Sequence, residues 1–523
     1  MTYNAAQLAA VRGALAQMGI YARGDLGGML DELRKATFGA PASHTTGINF
    51  YNLESLAKLL FNSYTPLRNM LPRRPGAGTG PNWRAVTRID TAQLPMGVPD
   101  GIRGPFLAHE VKEFTGRYAE IDAGSNSTFM AVLAAAGFDD LRSIQAVTGL
   151  RAVQTKEEKY LWGGLGTYGL GTAPTVSGTP SNTGGALTAA ASPYHIRVVA
   201  LTAEGYRLRG DPVGSTAGAI ATQMTLVSAS PRATQYVVKC GASQISADAT
   251  ATIASGTAGS IAATVAAVKG AVAYAWFIGT SATNGTLAAI TTVNKYTYTA
   301  VPAAGSPATG YFDTVGTNFN ADNSQNQYVF DGLHAIMAAT GSGSTITSLE
   351  GATLTSDGSG GIVELDALLM TMAQAHLVSP EKIWINFAQA KDIAAKITAG
   401  SASEKAVQIM IQGGDAQGAL VGGLVATGYL NKFALDPARR RIDIAVHPDV
   451  TPGNIFVTAQ SLPPVTFPDA NIPGVLEVET LQEYLQTEWP LVDRQYETSV
   501  GVTEVLKCYA PFSLGLLQNV AQG

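Results

Sequence analysis

Between residues 163 and 192 the chain has no charged side chain, and Gly, Thr, Ser, Pro and Ala dominate. That composition is the signature of a linker. Before it the pattern is helical and charged. After it, from about 194 to 301, the pattern is β. HIRVVALTA (195–203), TQMTLVSAS (222–230), QYVVKCG (235–241), AVAYAWFIGT (271–280), LAAITTV (287–293) and YTYTAV (296–301) are candidate strands. Short strands with turn-rich spacers predict a sandwich. Tyr274 and Trp276, two residues apart, fall on one face of their strand and read as buried aromatics. A second linker-like stretch, VPAAGSPATG, and a polar run to Gln327 lead out. The middle, 173–325, therefore reads as a domain inserted into a host whose halves are about 1–172 and 326–523.

The first host half opens with apolar stripes at helical spacing, Leu8, Val11, Leu15 and Met18, then Met29, Leu30 and Leu33. Two strand candidates, Trp83 to Ile89 and Val111 to Ile121, flank a Pro/Gly-rich tip and predict an extended hairpin. It carries charges of both signs and little apolar surface for a core of its own, so it is expected to lean on something else. Ser127 or Thr128 is placed to cap a long helix over 128–162 that stops at Gly163-Gly164. In the second half, Val363 to His376 predicts a helix with Leu365, Leu368, Leu369 and Met372 on one side. EKIWINF (381–387) predicts a strand and Ala388 to Thr398 a helix. RRIDIAV (440–446), NIFVTA (454–459), VLEVETL (475–481) and TSVGVTEVLKCYA (498–510) predict further strands.

Composition narrows the function. The 523 residues amount to about three to four domain-sized units. Charged residues are 14 %, against about 25 % in an average chain. The net charge of −5 is too weakly signed for a dedicated nucleic-acid binder, and the apolar content too high for disorder. Cys240 and Cys508 cannot make a disulfide framework and read as buried thiols. The N-terminal segment lacks the pattern of a secretory signal. The best apolar stretch, 256–282, is interrupted by Lys269 and diluted by Thr, Ser and Gly, so no membrane span is expected. Gly418 and Gly422 form a GxxxG that reads as a Gly-rich loop or tightly packed backbone.

Motifs that approach a reaction centre fall short. Gly164, Gly166 and Gly169 match GxGxxG but follow a helix and run into Gly/Thr/Pro, whereas a nucleotide cradle needs a strand before and a helix after. They read as a flexible exit from the helix. The histidines are His44, His109, His195, His334, His376 and His447; they make no HExxH and no zinc spacing. His447-Pro448-Asp449 reads as a surface turn. Glu364 and Asp366 are two apart on a helix and do not face each other. Asn126-Ser127-Thr128 is a glycosylation sequon without a signal segment to use it. No catalytic, cofactor-binding or metal-ligating residue is predicted, and the weight moves to a structural role.

Three segments carry a family likeness: TKEEKYLWGGLGTYGLGT (155–172), SPEKIWINFAQAKDI (379–393) and YETSVGVTEVLKCYAPFSLGLLQNV (496–520). With the order of helical arm, charged hairpin, long helix, α/β region and closing strand, the host resembles the major capsid protein of tailed bacteriophages, the Hong Kong 97-type fold. The middle resembles an immunoglobulin-like or fibronectin type III-like sandwich. The resemblance implies an α+β chain with an N-terminal arm at 1–72, an extended hairpin loop at 73–124, and a spine helix with the start of a peripheral domain at 125–172. It implies the inserted immunoglobulin-like domain with linkers at 173–325, an axial domain at 326–450, and remaining axial and peripheral strands with the C-terminal segment at 451–523.

It also implies self-assembly through pentamers and hexamers into an icosahedral shell around double-stranded DNA, with a separate scaffolding protein and a portal as partners. The insert would stand on the outer surface, where a decoration protein or glycan could bind. Packaged DNA would lie nearby without specific contact, and no membrane would be involved. Some members of that family join a hairpin Lys to an Asn beside a Glu. Lys112 is the only Lys in this hairpin, and no Asn partner is identified, so linkage is not expected. The rival readings are a tail or surface protein binding carbohydrate through its sandwich, and an enzyme with a β insertion.

Overall fold

The structure is a computed structural model. It describes residues 62–90, 97–104, 106, 108–136, 140–209, 220, 222–227, 234–254, 258–282, 284–302, 312–313, 319–399, 427–462, 474–491 and 493–523. The N-terminal stripes, the 418–422 motif, His44 and most of the second linker lie outside the described residues. The chain divides into two units, Met1–Leu60 with Ala135–Asp140, and Phe61–Ala134 with Leu141–Gly523. The second carries every described sheet.

Outside 173–325 lie two larger sheets and the two-stranded hairpin Asn82–Asp90 with Ala108–Thr115, and the fold is α+β. The first has the strand order Arg73–Pro75, Leu476–Glu488, Gln495–Cys508, Ala119–Thr128; the first pair is parallel and the others antiparallel. Ala119 and Ile121 alternate inward, as the two-residue period of a strand requires. The long helix Leu141–Gly163 packs on this sheet so closely that a Cβ on Gly149 would lie 3.3 Å from Val500. The second sheet has the order Thr345–Ser348, Gly515–Gln518, Ile455–Thr458, Lys382–Ile385, Arg441–Val446, Gly428–Leu430. Helix Val363–His376 buries Leu365, Leu368, Leu369 and Met372 in one core with Ile383, Ile385, Val457 and Leu517. A second core, built around Trp162, Trp384, Phe456, Val478 and Leu506, joins the two host sheets.

The middle forms two further sheets. One runs Ala249–Ala251, Tyr194–Leu201, Ala273–Ser281, Asn284–Thr291, Phe312–Asp313. The other runs Lys295–Tyr298, Ala258–Thr264, Ser177–Ser181, with Leu187–Thr188 also paired to Ala258–Thr264. Ile196, Val198, Tyr274 and Trp276 of the first sheet share a core with Ile261, Leu187 and Tyr298 of the second. The alternate residues Val199, Leu201, Ala275 and Phe277 fill another core with Ile220 and Phe319. The first sheet is thus buried on both faces, with Tyr274 and Trp276 on one of them.

Several expectations need correction. Residues 163–192 are not a free linker: they hold Ser177–Ser181 and Leu187–Thr188 and bury Ala173, Val176 and Leu187. The apolar stretch 256–282 is two strands, Ala258–Thr264 and Ala273–Ser281. No helix among the described residues is long and apolar enough to cross a membrane. The second hairpin strand stops at Thr115, and Ala119–Thr128 belongs to the first host sheet. The helix over 128–162 is two helices, Phe129–Ala135 and Leu141–Gly163. Thr128 Oγ1 does accept the Ala131 N–H at 3.3 Å, the expected cap. Gln223–Val227 and Gln235–Lys239 pair as a separate ribbon rather than joining the sandwich sheets.

Candidate functional site

The hairpin is the first assembly of interest. Strands Asn82–Asp90 and Ala108–Thr115 are antiparallel, with Arg84 opposite Glu113 at 2.6 Å between charged groups, both exposed. Its base is held by its own chain. The Trp83 indole N–H donates to the Cys508 carbonyl at 3.2 Å, Phe114 stacks on Trp83, and Lys112 Nζ donates to the Gly341 carbonyl at 2.9 Å. Beyond the base the apolar side chains are uncovered. Val86 and Val111 face each other across the strands and are exposed, and in the tip Ile102 is 63 % and Phe106 90 % exposed. Burying such a side chain is worth about 1.5–3 kcal/mol, which the isolated chain does not realise. A cleft of about 410 Å³ lies between the hairpin base and the segment that includes Ile336 and Gly341.

The second assembly is a buried charge clamp. Glu157 and Glu158 are both fully buried. Glu158 caps the short helix Pro66–Met70, accepting the Leu67 N–H at 3.1 Å and the Arg68 N–H at 2.8 Å, and also accepts the Trp162 indole N–H at 3.2 Å. Glu157 binds Arg68 at 2.9 Å, Arg73 and the Tyr484 hydroxyl. Arg73 is shared with the buried Glu504 at 3.1 Å. Burial, with the Glu157 charge second, pushes the Glu504 carboxyl up to about 8. The clamp fixes where residues 66–75 leave the long helix, and those residues lead into the hairpin.

The third assembly is the Gly-rich turn. Gly164 and Gly166 face protein backbone and Gly169 the Asp322 carboxylate, where a nucleotide cradle would face phosphate. A Cβ on Gly164 would sit 2.3 Å from the Phe330 carbonyl oxygen, and one on Gly166 2.0 Å from that of Val329. The Gly332 N–H donates to the Gly164 carbonyl and the Asn326 N–H to that of Leu165, both at 2.9 Å. Asp331 accepts the Gly166 N–H at 2.8 Å and the Thr167 N–H at 3.1 Å. Asp322 accepts the Gly171 N–H at 2.9 Å and Ser324 that of Leu170 at 2.6 Å. The flexible exit expected here is a laced junction.

The remaining sequence candidates are scattered. His447 is a correction. It is fully buried, with Nε2 2.9 Å from Glu158 Oε1 in a bent geometry, and packs among Tyr64, Trp162 and Trp384. The Asp449 N–H donates to its Nδ1 at 3.0 Å. Glu364 accepts the Thr355 N–H, while Asp366 binds Tyr429 and Lys432, so the two work apart. His195 pairs with Asp248 at 2.6 Å, and His376 packs at a tilt against the Phe512 ring. Burial lowers His334 to about 4. Cys240 and Cys508 are free and buried, and burial pushes their thiols up to about 11 and about 12. Among the described residues no group of three His, Cys, Asp or Glu is placed to hold a metal.

The clamp carboxylates escaped the sequence reading, which gave them no role beyond their place in the long helix. The signal was there. Glu157 lies four residues from Val153 and from Leu161, and Glu158 four from Trp162, so each shares a helix face with residues that must be buried.

No family model and no curated protein matches the chain. Among solved structures it is similar to the cyanophage A-1(L) capsid asymmetric unit, at 9 % identity over 91 % of this chain and 98 % of that one, TM-score 0.41. It is similar to the capsid of the native GTA particle, at 8 % identity over 92 % and 98 %, TM-score 0.37. It is also similar to the holo-SrpI encapsulin complex from Synechococcus elongatus PCC 7942, at 8 % identity over 90 % and 93 %, TM-score 0.38.

Proposed function

We propose that the chain is a structural protein, a major capsid protein of the Hong Kong 97 type that self-assembles into the icosahedral shell around the double-stranded DNA of a tailed phage. The observation that carries this reading is the hairpin: anchored by Trp83 and Lys112 at its base and apolar and uncovered at Val86, Ile102, Phe106 and Val111. A surface of that kind marks an interaction site, and its occupant is another copy of this chain. The clamp at Glu157 and Glu158 supports the reading, because it holds rigid the root from which the hairpin projects. The family order of elements found in the sequence supports it as well.

On this reading residues 1–72 are the arm, 73–124 the extended loop, 125–172 the spine and first peripheral part, 326–450 the axial domain and 451–523 the closing segment. Residues 173–325 are an immunoglobulin-like insert stabilised by its core, without a disulfide. A separate scaffold and a portal are the assembly partners, and the insert is the surface open to a decoration protein or glycan. Covalent linkage through Lys112 is not part of the reading, since its amine is held by Gly341 and by Glu110 at 3.5 Å. SDS gels of shells should show no ladder of multimers. The deciding experiment is electron microscopy of the purified protein, alone and with any scaffold. Closed shells, tubes or five- and six-membered rings are expected, and discrete monomers under both conditions would overturn the proposal.

A further inference from the structure

The 173–325 segment stands on two parts of the host at once. Its helix-side foot is the short helix Ala203–Arg207. Glu204 pairs with Lys156 of the long helix at 3.3 Å, and Ala203 sits where any Cβ on Gly163 would be, 2.2 Å away. Its sheet-side foot is the turn at 292–295. The buried Asn294 donates to the Glu350 carboxylate. The Lys295 stem covers Gly351, where a Cβ would approach it to 3.0 Å, and the Thr292 carbonyl lies against Gly453, with a Cβ there 3.0 Å away. Between the feet, the turn at Gly270 meets buried His334, whose pKa the Gly270 backbone affects through a hydrogen bond. The inbound and outbound strands are laced to each other through Gly164–Gly171 and Asp322–Gly332. Among the described residues this path runs through packed and hydrogen-bonded contacts.

We infer that the insert is an internal brace. It ties the C-terminal end of the long helix to the turns at the end of the six-stranded sheet, and forms the third side of a triangle whose direct side is Trp162 against Trp384, 5.3 Å between rings. A decoration hung on linkers would leave the host geometry indifferent to it; a brace couples its two feet. Coupling between two sites is reciprocal. This inference concerns contacts within one chain and stands or falls separately from the capsid reading.

The test is amide hydrogen exchange on the full, unassembled chain carrying one cut foot. Lys156→Met keeps the stem and removes the ion pair at the helix foot. Glu350→Gly removes the acceptor at the sheet foot, at a backbone φ of +51° that glycine adopts freely. The brace requires each cut to speed exchange at the opposite foot by roughly tenfold, around 349–353 for the first and 158–163 for the second. Acceleration confined to the substituted foot in both variants would overturn it. Should either variant fail to fold, Glu204→Gln and Lys295→Ala cut the same feet more gently and are read in the same way.

Discussion

Glu157 and Glu158 are neighbours in sequence, and each is buried with both carboxylate oxygens engaged. Glu158 is saturated by two backbone N–H groups and an indole N–H, and Glu157 by two guanidinium groups and a phenol. Removing one partner of a buried ionic set costs about 3–5 kcal/mol, because the other is left uncompensated. Glu157→Ala should lower the unfolding free energy of the unassembled chain by about that much in urea titrations, and Glu158→Ala, which strands buried N–H donors at about 1–3 kcal/mol each, should destabilise it comparably. Glu113→Ala, at the exposed Arg84 pair, should stay within about 0.5 kcal/mol of the parent. Two further residues give the chain opposing pH dependences. His334 falls from 6.5 to about 4 on folding, so the unfolded state takes up the proton first and stability drops as pH falls from about 6.5 to about 4. Glu504 rises from 4.5 to about 8, so its neutral form is favoured in the fold and stability drops as pH rises from about 4.5 to about 8. Above about 6.5 Glu504 acts without opposition from His334. Stability should therefore fall as pH rises from about 6.5 towards about 8 on account of Glu504, and Glu504→Gln should flatten that interval. An unchanged slope in the variant would show that another group titrates there.

At the scale of elements, the Gly-rich turn makes the sharpest prediction. Gly164→Ala places a methyl group 2.3 Å from a backbone carbonyl that cannot rotate away. Overpacking of this kind costs about 1–3 kcal/mol, and a drop in the denaturation midpoint with no change in slope is expected. Elements whose side chains repeat at the period of their backbone were legible in the sequence. Val363–His376 has the predicted bounds and buried face, and Ala273–Ser281 carries Tyr274 and Trp276 as read. What escaped was built from small residues. Ser177–Ser181 and Ala258–Thr264 are Gly, Ala, Ser, Thr and Pro with a single Ile, and they become strands only because neighbouring strands pair with them. Gly178 shows why small residues are needed: a Cβ there would lie 2.5 Å from Ile196 of the facing sheet. The same composition that reads as a linker in one dimension is close packing in three. The hairpin was legible as an extended pair, but not its end at Thr115, because Ala119–Thr128 continues in β conformation and only its partner changes. The clamp was hidden by convention, since charged residues on a helix are ordinarily assigned to solvent.

At the scale of the whole molecule, the proposed assembly surface lies apart from the residues that hold the fold, and that separation can be measured. The cores outside 173–325 close around Trp162, Trp384 and Phe456, and around Leu369 and Ile383, with no contribution from the described residues of the hairpin tip. Ile102 and Phe106, at 63 % and 90 % exposure, add nothing to the fold of one chain. A double variant, Ile102→Asp with Phe106→Asp, should therefore melt within about 2 °C of the parent when unassembled, since exposed substitutions change stability by about 0.5 kcal/mol or less. In a shell the same pair would have to place two carboxylates in an apolar contact, where an unpaired charge costs several kcal/mol. Each contact recurs at every copy, so the loss multiplies across the assembly. Sedimentation of parent and variant under one assembly condition should show large particles for the parent and the free chain for the variant. Shells that close normally with both aspartates in place would mean that the hairpin tip is not the contact, and that its apolar side chains serve some other surface.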